Sequence, residues 1–369
     1  MHDDIFVTKP FLPPLEEFIP YMQTIWDSGI LSNCGPFHQE LEKQLAEYLG
    51  VPYICLFSNG TIALLTALQA IEAKGEVITT PFSFVATAHA ILWNDLTPVF
   101  TDIDPQNLNL NPSLVEAAIT SKTSAILPVH CYGNPAATTA FAEIAERHNL
   151  KLIYDASHAF GVEDALGSIL NHGDLATLSL HATKVFNTFE GGAIICKTFE
   201  MKDKIDKLKN FGHDGETRVV AMGINGKMSE MNSAFGLLQL KHIDDAIARR
   251  IEICTKYRNT IDNIEGLDYL SPSLGGVIPN GSYFPILVRP EYPLSRDELY
   301  HKMKKTGVHP RRYFYPLITS FDMYVDLPSA DPARLPVATA IAEQVLCLPI
   351  YPDLSGDMQA RVLDLLQTD

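Results

Sequence analysis

The chain has 369 residues, 46% hydrophobic and 20% charged, an ordinary globular composition with enough length to bury a large core and to divide into a major and a minor domain. No apolar run approaches the roughly 20 residues of a membrane span, and the opening Met-His-Asp-Asp-Ile-Phe lacks the basic-then-apolar pattern of a secretory leader, so a cytoplasmic location with no membrane partner is expected. The net charge of −16 speaks against a nucleic-acid partner and requires that any anionic ligand be met by cations gathered locally.

In chain order, an N-terminal arm is expected over 1–30, with the Pro-rich Lys9-Pro10-Phe11-Leu12-Pro13-Pro14 packed as an extended segment. From about residue 50 to 200, short apolar segments alternate with longer helix-like ones. Strands are expected at 53–58, 76–80, 98–102, 124–130, 151–155, 175–180 and 193–197. Between several of them apolar residues recur at i, i+3 and i+4, as over 61–73 and 136–148. That alternation implies an α/β architecture, a mainly parallel seven-stranded sheet flanked by helices, within a large domain over 31–245. Beyond Met228 a single long helical pattern runs through Leu237, Leu240, Ile243, Ile247 and Ile251, placed to bridge the main body and a C-terminal domain. The strand-like 283–288 and helical 295–306 and 336–345 read as a small α+β domain over 246–369.

Cysteines at 34, 55, 131, 196, 254 and 347 form no Cys-x-x-Cys pair, so neither a metal site nor a disulfide framework is expected. Cys55, Cys196 and Cys347 sit inside apolar runs and read as small core residues.

Open parallel sheets bind ligands beyond the carboxyl ends of their strands, and four segments fall there. Ser58-Asn59-Gly60-Thr61-Ile62-Ala63 follows a strand and opens a helix, where free N–H groups make an anion site and Gly60 permits close backbone approach; by itself it reads more readily as a plain helix cap. Asp155 ends an apolar run at the sheet's carboxyl edge and has the charge to keep a pyridine nitrogen protonated, although a lone Asp in such a place is more often a cap or a buried ion pair. Lys184 closes Ser179-Leu180-His181-Ala182-Thr183-Lys184 beside apolar Val185 and Phe186, surroundings that lower an amine's pKa and make it nucleophilic, where most lysines are solvated. Phe84 offers a flat face to an aromatic ring, or simply packs in the core. An anion-binding turn, an aromatic platform, an acid for a ring nitrogen and a lysine are jointly what pyridoxal 5′-phosphate requires.

The order and placement of these segments resemble the DegT/StrS nucleotide-sugar aminotransferase family, pyridoxal-phosphate enzymes of the aspartate-aminotransferase fold (fold type I). The likeness runs from about Pro10 to Leu366 and is strongest at Gly35-Pro36-Phe37, 58–64, 84–87, Val129-His130-Cys131-Tyr132-Gly133, 155–161, 179–192 and 223–230. The resemblance implies that Lys184 holds the cofactor covalently, Asp155 binds its pyridine nitrogen and Phe84 stacks on its ring. It implies that Gly60, the N–H groups of Thr61 and Ile62 and the Ser179 hydroxyl hold the phosphate, and that His158, where Gln is usual, contacts the phenolic oxygen. It further implies a homodimer with shared active sites, in which Asn225 reaches the neighbouring subunit's cofactor phosphate. Two departures stand out: Gly226-Lys227 replaces the common Tyr-Arg, and the segment before the second strand is shortened to Gly75-Glu76-Val77.

With 11–14 and 181–187, these details look most like the branch that aminates C4 of a dTDP-4-keto-6-deoxy sugar, with glutamate as donor, to make dTDP-4-amino-4,6-dideoxy-D-glucose for O-antigen or other glycans. Lys184 favours transamination over the family's dehydratases, which carry His there. For the nucleotide sugar, Lys227 of a partner and Arg311 and Arg312 are candidate cations, and Tyr313 and Tyr315 candidate walls of the sugar site. The alternatives are amination at C3 of a 3-keto sugar and a non-catalytic cofactor-binding regulator.

Overall fold

The computed structural model describes residues 4–270 and 276–367; the first three residues of the expected arm, and 271–275 and 368–369 of the expected small domain, lie outside the described residues. Seven strands form the principal sheet: Tyr53–Phe57 (β1), Glu76–Thr79 (β2), Thr97–Phe100 (β3), Thr123–Leu127 (β4), Lys151–Asp155 (β5), Leu175–Ser179 (β6) and Gly192–Cys196 (β7). Their spatial order is β1-β7-β6-β5-β4-β2-β3. β7 runs antiparallel to β1 and β6, and every other pair is parallel. The sheet is therefore mainly parallel, as the sequence predicts.

Parallel neighbours need long crossovers, and helices supply them. Those that bear on the site are Leu15–Ser28 (α1), Pro36–Leu49 (α2), Gly60–Ala70 (α3), Ala86–Leu92 (α4), Thr138–His148 (α5), Phe199–Leu208 (α6), Glu230–Leu240 (α7) and Ile243–Ile261 (α8). Alternate strand residues enter opposite cores because successive side chains point to opposite faces. Leu56, Ile78, Ile126, Leu152, Tyr154 and Leu178 pack on one side, and Cys55, Phe57, Val77, Leu127, Ile153 and Ile194 on the other. Burial on both faces is why these strands read as continuous apolar runs.

The fourth expected strand, 124–130, ends early at Leu127. Pro128 has no N–H to extend the ladder, and beyond it Val129 makes only an isolated bridge to Asp155. The one long helix expected past Met228 is two, α7 and α8, broken at Lys241-His242. Asp244 and Asp245 sit in the first turn of α8, where carboxylates favour a fresh helix N-terminus, and His242 Nε2 leaves the helical line to meet Glu17 Oε2 at 3.0 Å.

The smaller body holds an antiparallel sheet of Leu267–Tyr269 (β8), Phe284–Val288 (β9) and Val345–Leu348 (β10), in the order β8-β9-β10. Ile243 of α8 lies in the main core, whereas Ile253, Tyr257 and Ile261 lie in the small one with Phe284, Ile286 and Leu346. A single helix thus begins in one core and ends in the other, and the expected boundary at 245/246 falls inside its first turn.

The N-terminal arm is extended only in its first half. Ile5–Phe6 pairs with Val308–His309 in the small body, the Phe11 carbonyl accepts from Gln239 Nε2 at 2.8 Å, and after Pro14 the chain turns into α1. Phe18 and Ile25 of α1 then pack on Phe235 and Leu238 of α7. Among the described residues no helix is long and apolar enough to cross a membrane.

Asn280 ties the two bodies together. Its Nδ2 donates to the carbonyls of His158 and Phe160 at 2.8 and 2.9 Å, and its Oδ1 accepts the Ser282 N–H at 2.9 Å. Replacing it with Leu leaves buried backbone groups unpaired at about 1–3 kcal/mol each. Asn280→Leu is therefore expected to lower the thermal midpoint by several degrees, read by scanning calorimetry at matched concentration; an unchanged midpoint would show that the tie is dispensable.

Candidate active site

The carboxyl ends of β5 and β6 are neighbours, with Asp155 paired to Thr177 in parallel register. They open onto a cavity of about 300 Å³ lined also by the starts of α3 and α4, by the loop after β6, and by Tyr283, Tyr313 and Phe314 from the smaller body. Gly60, Thr61, Phe84, Asp155, His158, Ser179, Lys184 and Tyr313 all line it. Residues from five separate stretches of sequence thus meet in one place.

Asp155 is 4% exposed. Its Oδ1 accepts from the Ser157 hydroxyl at 2.6 Å and the Ser157 N–H at 3.1 Å, and its Oδ2 accepts from the Thr87 hydroxyl at 2.8 Å. Thr87 Oγ1 is in turn 2.9 Å from Ser83 Oγ. These bonds fix the carboxylate plane and leave lone pairs for a further donor in the cavity.

Lys184 lies in a turn closed by its own N–H to the His181 carbonyl at 2.9 Å. Lys184 is half-buried, its side chain facing the cavity, and 6.0 Å separates Nζ from the centroid of the Tyr283 ring. Burial lowers its pKa from 10.5 to about 8, against the opposing pull of the Asp155 charge. Near neutral pH a useful fraction is therefore the free amine, the nucleophilic form.

His158 is held as a neutral donor. The Tyr132 N–H donates to its Nδ1 at 3.1 Å, which puts the imidazole proton on Nε2. Burial pushes its pKa well below the ordinary value, and the neighbouring Lys184 charge acts in the same direction. Phe314 lies parallel to the ring at 6.1 Å and Tyr283 meets it edge-on at 4.9 Å.

At the start of α3 the Asn59 side chain accepts the Ile62 N–H at 2.9 Å. This corrects the expectation for Ile62: its N–H is spent on the cap, and the free donors facing the cavity are those of Gly60 and Thr61. A Cβ on Gly60 would lie 2.9 Å from the Ser179 Cβ, so only glycine lets the helix start close against the end of β6. Phe84, 60% exposed, stands open at the cavity wall.

Other expected residues lie elsewhere. Arg312 pairs with Asp297 at 2.8 Å and stacks over Tyr300 and Tyr315 at 4.6 and 5.1 Å, so its charge is spent within the smaller body. Tyr315 is also covered by Arg296 at 4.5 Å. Arg311 is exposed, makes no ion pair among the described residues, and like Arg312 and Tyr315 does not line the cavity. Asn225 and Lys227 are outside it too; Lys227 Nζ bonds to Asn210 and lies over the Phe211 ring at 5.4 Å.

Sequence reading missed Thr87, Ser157, Tyr283 and Phe314. Asp-x-Ser is a recognisable local turn pattern, and Thr87 follows Phe84 by one helical turn, so two of these had a signal. Tyr283 and Phe314 arrive from more than 90 residues beyond Lys184; Phe314 had a further signal in lying between the wall candidates Tyr313 and Tyr315, whereas nothing near Tyr283 announced it.

These groups fit pyridoxal phosphate: a half-buried amine, a fixed carboxylate, two free N–H groups at a helix N-terminus with a hydroxyl beside them, and a flat apolar wall. Fold and pocket define a fold-type-I, pyridoxal-phosphate-dependent aminotransferase. The chain belongs to the DegT/DnrJ/EryC1/StrS aminotransferase family, whose model matches residues 15–367. It is similar to a dTDP-4-amino-4,6-dideoxy-D-glucose transaminase of Shigella dysenteriae, 56% identical over 100% of this chain and 99% of the relative. A transaminase of the same description from Escherichia coli is 51% identical over 98% and 97%. Among solved structures, DesI in the presence of its TDP-sugar product superposes with a TM-score of 0.94 at 34% identity, over 99% of this chain and 93% of that one.

Because only the neutral amine adds to an aldehyde, recombination of the cofactor-free protein with pyridoxal phosphate is expected to accelerate as pH rises and to level off near pH 8, the pKa to which burial brings Lys184. Stopped-flow absorbance across pH 6–10 tests this; a rate still climbing at pH 10 would mean an amine of ordinary basicity.

Proposed function

We propose that this enzyme moves an amino group from glutamate to C4 of dTDP-4-keto-6-deoxy-D-glucose, giving dTDP-4-amino-4,6-dideoxy-D-glucose. The observation that carries the transaminase assignment is the Lys184 amine sharing one cavity with the fixed Asp155 carboxylate. The choice of sugar rests on the two dTDP-4-amino-4,6-dideoxy-D-glucose transaminases that are more than half identical over nearly the whole chain.

Bound here, pyridoxal phosphate supplies an electron sink that stabilises negative charge at the carbon losing a proton. Asp155 would hold the ring nitrogen protonated by offering a fixed negative charge, and His158 Nε2–H would donate to the phenolic oxygen. Gly60 and Thr61 N–H groups, with the Ser179 hydroxyl, would take the phosphate, and Phe84 would cover the ring face. Lys184 would hold the cofactor at rest. During turnover its Nζ would accept the proton from the donor's α-carbon and, in the second half-reaction, deliver a proton to C4 of the sugar. A pKa of about 8 suits both duties, because neither protonation state is scarce near neutral pH.

The sugar enters against Tyr313, Tyr283 and Phe314, a wall that the small domain (246–369) adds to the large one (31–245). Among the described residues, the pocket offers the diphosphate no lysine or arginine except Lys184. This supports a homodimer in which the arm and large domain of one subunit face the other, with the partner's Asn225 and Lys227 completing the site. Arg311, exposed and without an ion pair among the described residues, remains a candidate for the diphosphate, whereas Arg312 and Tyr315 serve the smaller body's own packing.

Three measurements test the assignment. Purified enzyme with glutamate and the 4-keto sugar is expected to release 2-oxoglutarate and the 4-amino sugar; turnover of the 3-keto isomer alone would replace C4 by C3. Lys184→Arg should abolish turnover and the cofactor's visible absorbance, and persistence of both would remove Lys184 from its role. Thr87→Val, close in shape but unable to donate to Asp155, should lower kcat about tenfold or more and the thermal midpoint by a few degrees, the loss of one hydrogen bond to a charged group being worth about 1.5–3 kcal/mol.

A further inference from the structure

Tyr132, in the turn after β4, is 6% exposed and does not line the active-site cavity, yet it is bonded to two residues that do. Tyr132 has φ of 58° and Gly133 of 83°, a left-handed pair. Such backbone is uncommon for a tyrosine and persists only where surrounding bonds hold it. Asn109 supplies them: its Oδ1 accepts the Cys131 N–H at 2.9 Å, and its Nδ2 donates to the carbonyls of Asn134 and Pro135 at 3.1 and 3.0 Å. A Cβ on Gly133 would lie 2.7 Å from the His158 carbonyl oxygen, so the turn presses against the segment that carries His158.

From this position Tyr132 reaches both domains. Its N–H donates to His158 Nδ1 at 3.1 Å, and its hydroxyl donates to the Tyr313 carbonyl at 2.5 Å. Between those bonds its ring lies nearly parallel to Phe314, with 5.8 Å between centroids and 12° between planes. Phe314 is itself parallel to the His158 ring at 6.1 Å. Phe82 closes the stack edge-on, 6.2 Å from Tyr132 and 5.6 Å from Phe314. The Tyr313 carbonyl has one other donor, the Cys347 thiol at 3.9 Å, which is weak. Burial pushes the Tyr132 phenol well above its ordinary range, so the hydroxyl keeps its proton and remains a donor.

We propose that Tyr132 is a positioning residue for the sugar half-reaction: its hydroxyl sets the wall of Tyr313 and Phe314, and its N–H ties that wall to the imidazole of His158. The sugar assigned to the wall rests on the reaction proposed above. The two partners lie 26 and 181 residues further along the chain, one in each domain. A wall from the smaller body thereby keeps its distance to a cofactor-facing group of the larger one, because both hang from a single residue. Loss of the hydroxyl frees the wall and leaves His158 bonded. Binding of the sugar then suffers, and proton transfer at Lys184 does not.

The test compares Tyr132→Phe with the wild-type, cofactor-loaded enzyme. KM for dTDP-4-keto-6-deoxy-D-glucose is expected to rise about fivefold, the factor one neutral hydrogen bond carries, with kcat held within about twofold. Titration calorimetry with the amino-sugar product should show the same loss of affinity. Hydrogen exchange read by mass spectrometry should quicken over 313–318 and not over 155–161. A KM and an exchange rate over 313–318 that both match the wild type would overturn the proposal, whatever happens to the melting midpoint. A lower kcat at constant KM would also sink it, because the hydroxyl would then act in the chemical step. If the wild-type enzyme does not turn over the 4-keto sugar, the proposed reaction falls, and exchange over 313–318 alone decides the role of Tyr132.

The N–H is read separately. Tyr132→Gly and Tyr132→Ala both lose the ring and the hydroxyl, but only glycine takes a φ of 58° freely. Cofactor-free Tyr132→Ala is therefore expected to bind pyridoxal phosphate about fivefold more weakly than Tyr132→Gly, as fluorescence titration would show. Equal affinities would mean that the left-handed backbone does nothing for His158, and the link between wall and imidazole would be lost.

Discussion

The desolvation of one amine sets the terms for the rest of the molecule. Burying Lys184 opposes its charged form and so favours the free amine, while the Asp155 carboxylate at the end of the adjacent strand keeps the shift within bounds. Two adjacent parallel strands, β5 and β6, deliver these groups from loops leaving the same edge of the sheet. The sheet must be covered on both faces to hold that edge rigid, and the two apolar cores separated by strand alternation do so. Around the pair, neutral His158 and the aromatic side chains of Phe314 and Tyr283 exclude water without adding a competing charge.

Much of this was legible beforehand. The seven strands read as apolar runs because they are buried on both sides, and Asp155, Lys184 and Gly60 stood out because each sits where such a run stops. Long-range pairing was not legible. Arg312 sat in sequence beside aromatic residues of the pocket, but Asp297 claims it from a helix whose register no local pattern discloses. Ile62 was a reasonable phosphate donor until the Asn59 side chain took its N–H, since a cap and an anion compete for the same orphan groups. The break between α7 and α8 escaped notice because apolar spacing continues across it; the signal was in the paired aspartates, not in the hydrophobic period.

The pocket is also sparing with positive charge. A chain of net charge −16 that takes a nucleotide diphosphate must place cations where they count, yet several of its lysines and arginines are paired inside the subunit: Lys202 and Lys209 with Glu42, Arg312 with Asp297. This economy is what gives the proposed dimer its purpose.

The path of residues 4–11 bears on how the molecule is made. Ile5 and Phe6 pair with Val308 and His309, the Val7 carbonyl accepts the Ile350 N–H at 2.9 Å, and Phe11 is clasped by Gln239. Residues 5–7 therefore find their partners in segments synthesised long after them. Until those segments exist, this stretch has no strand to join, and the nascent large sheet waits without the wall that closes its mouth.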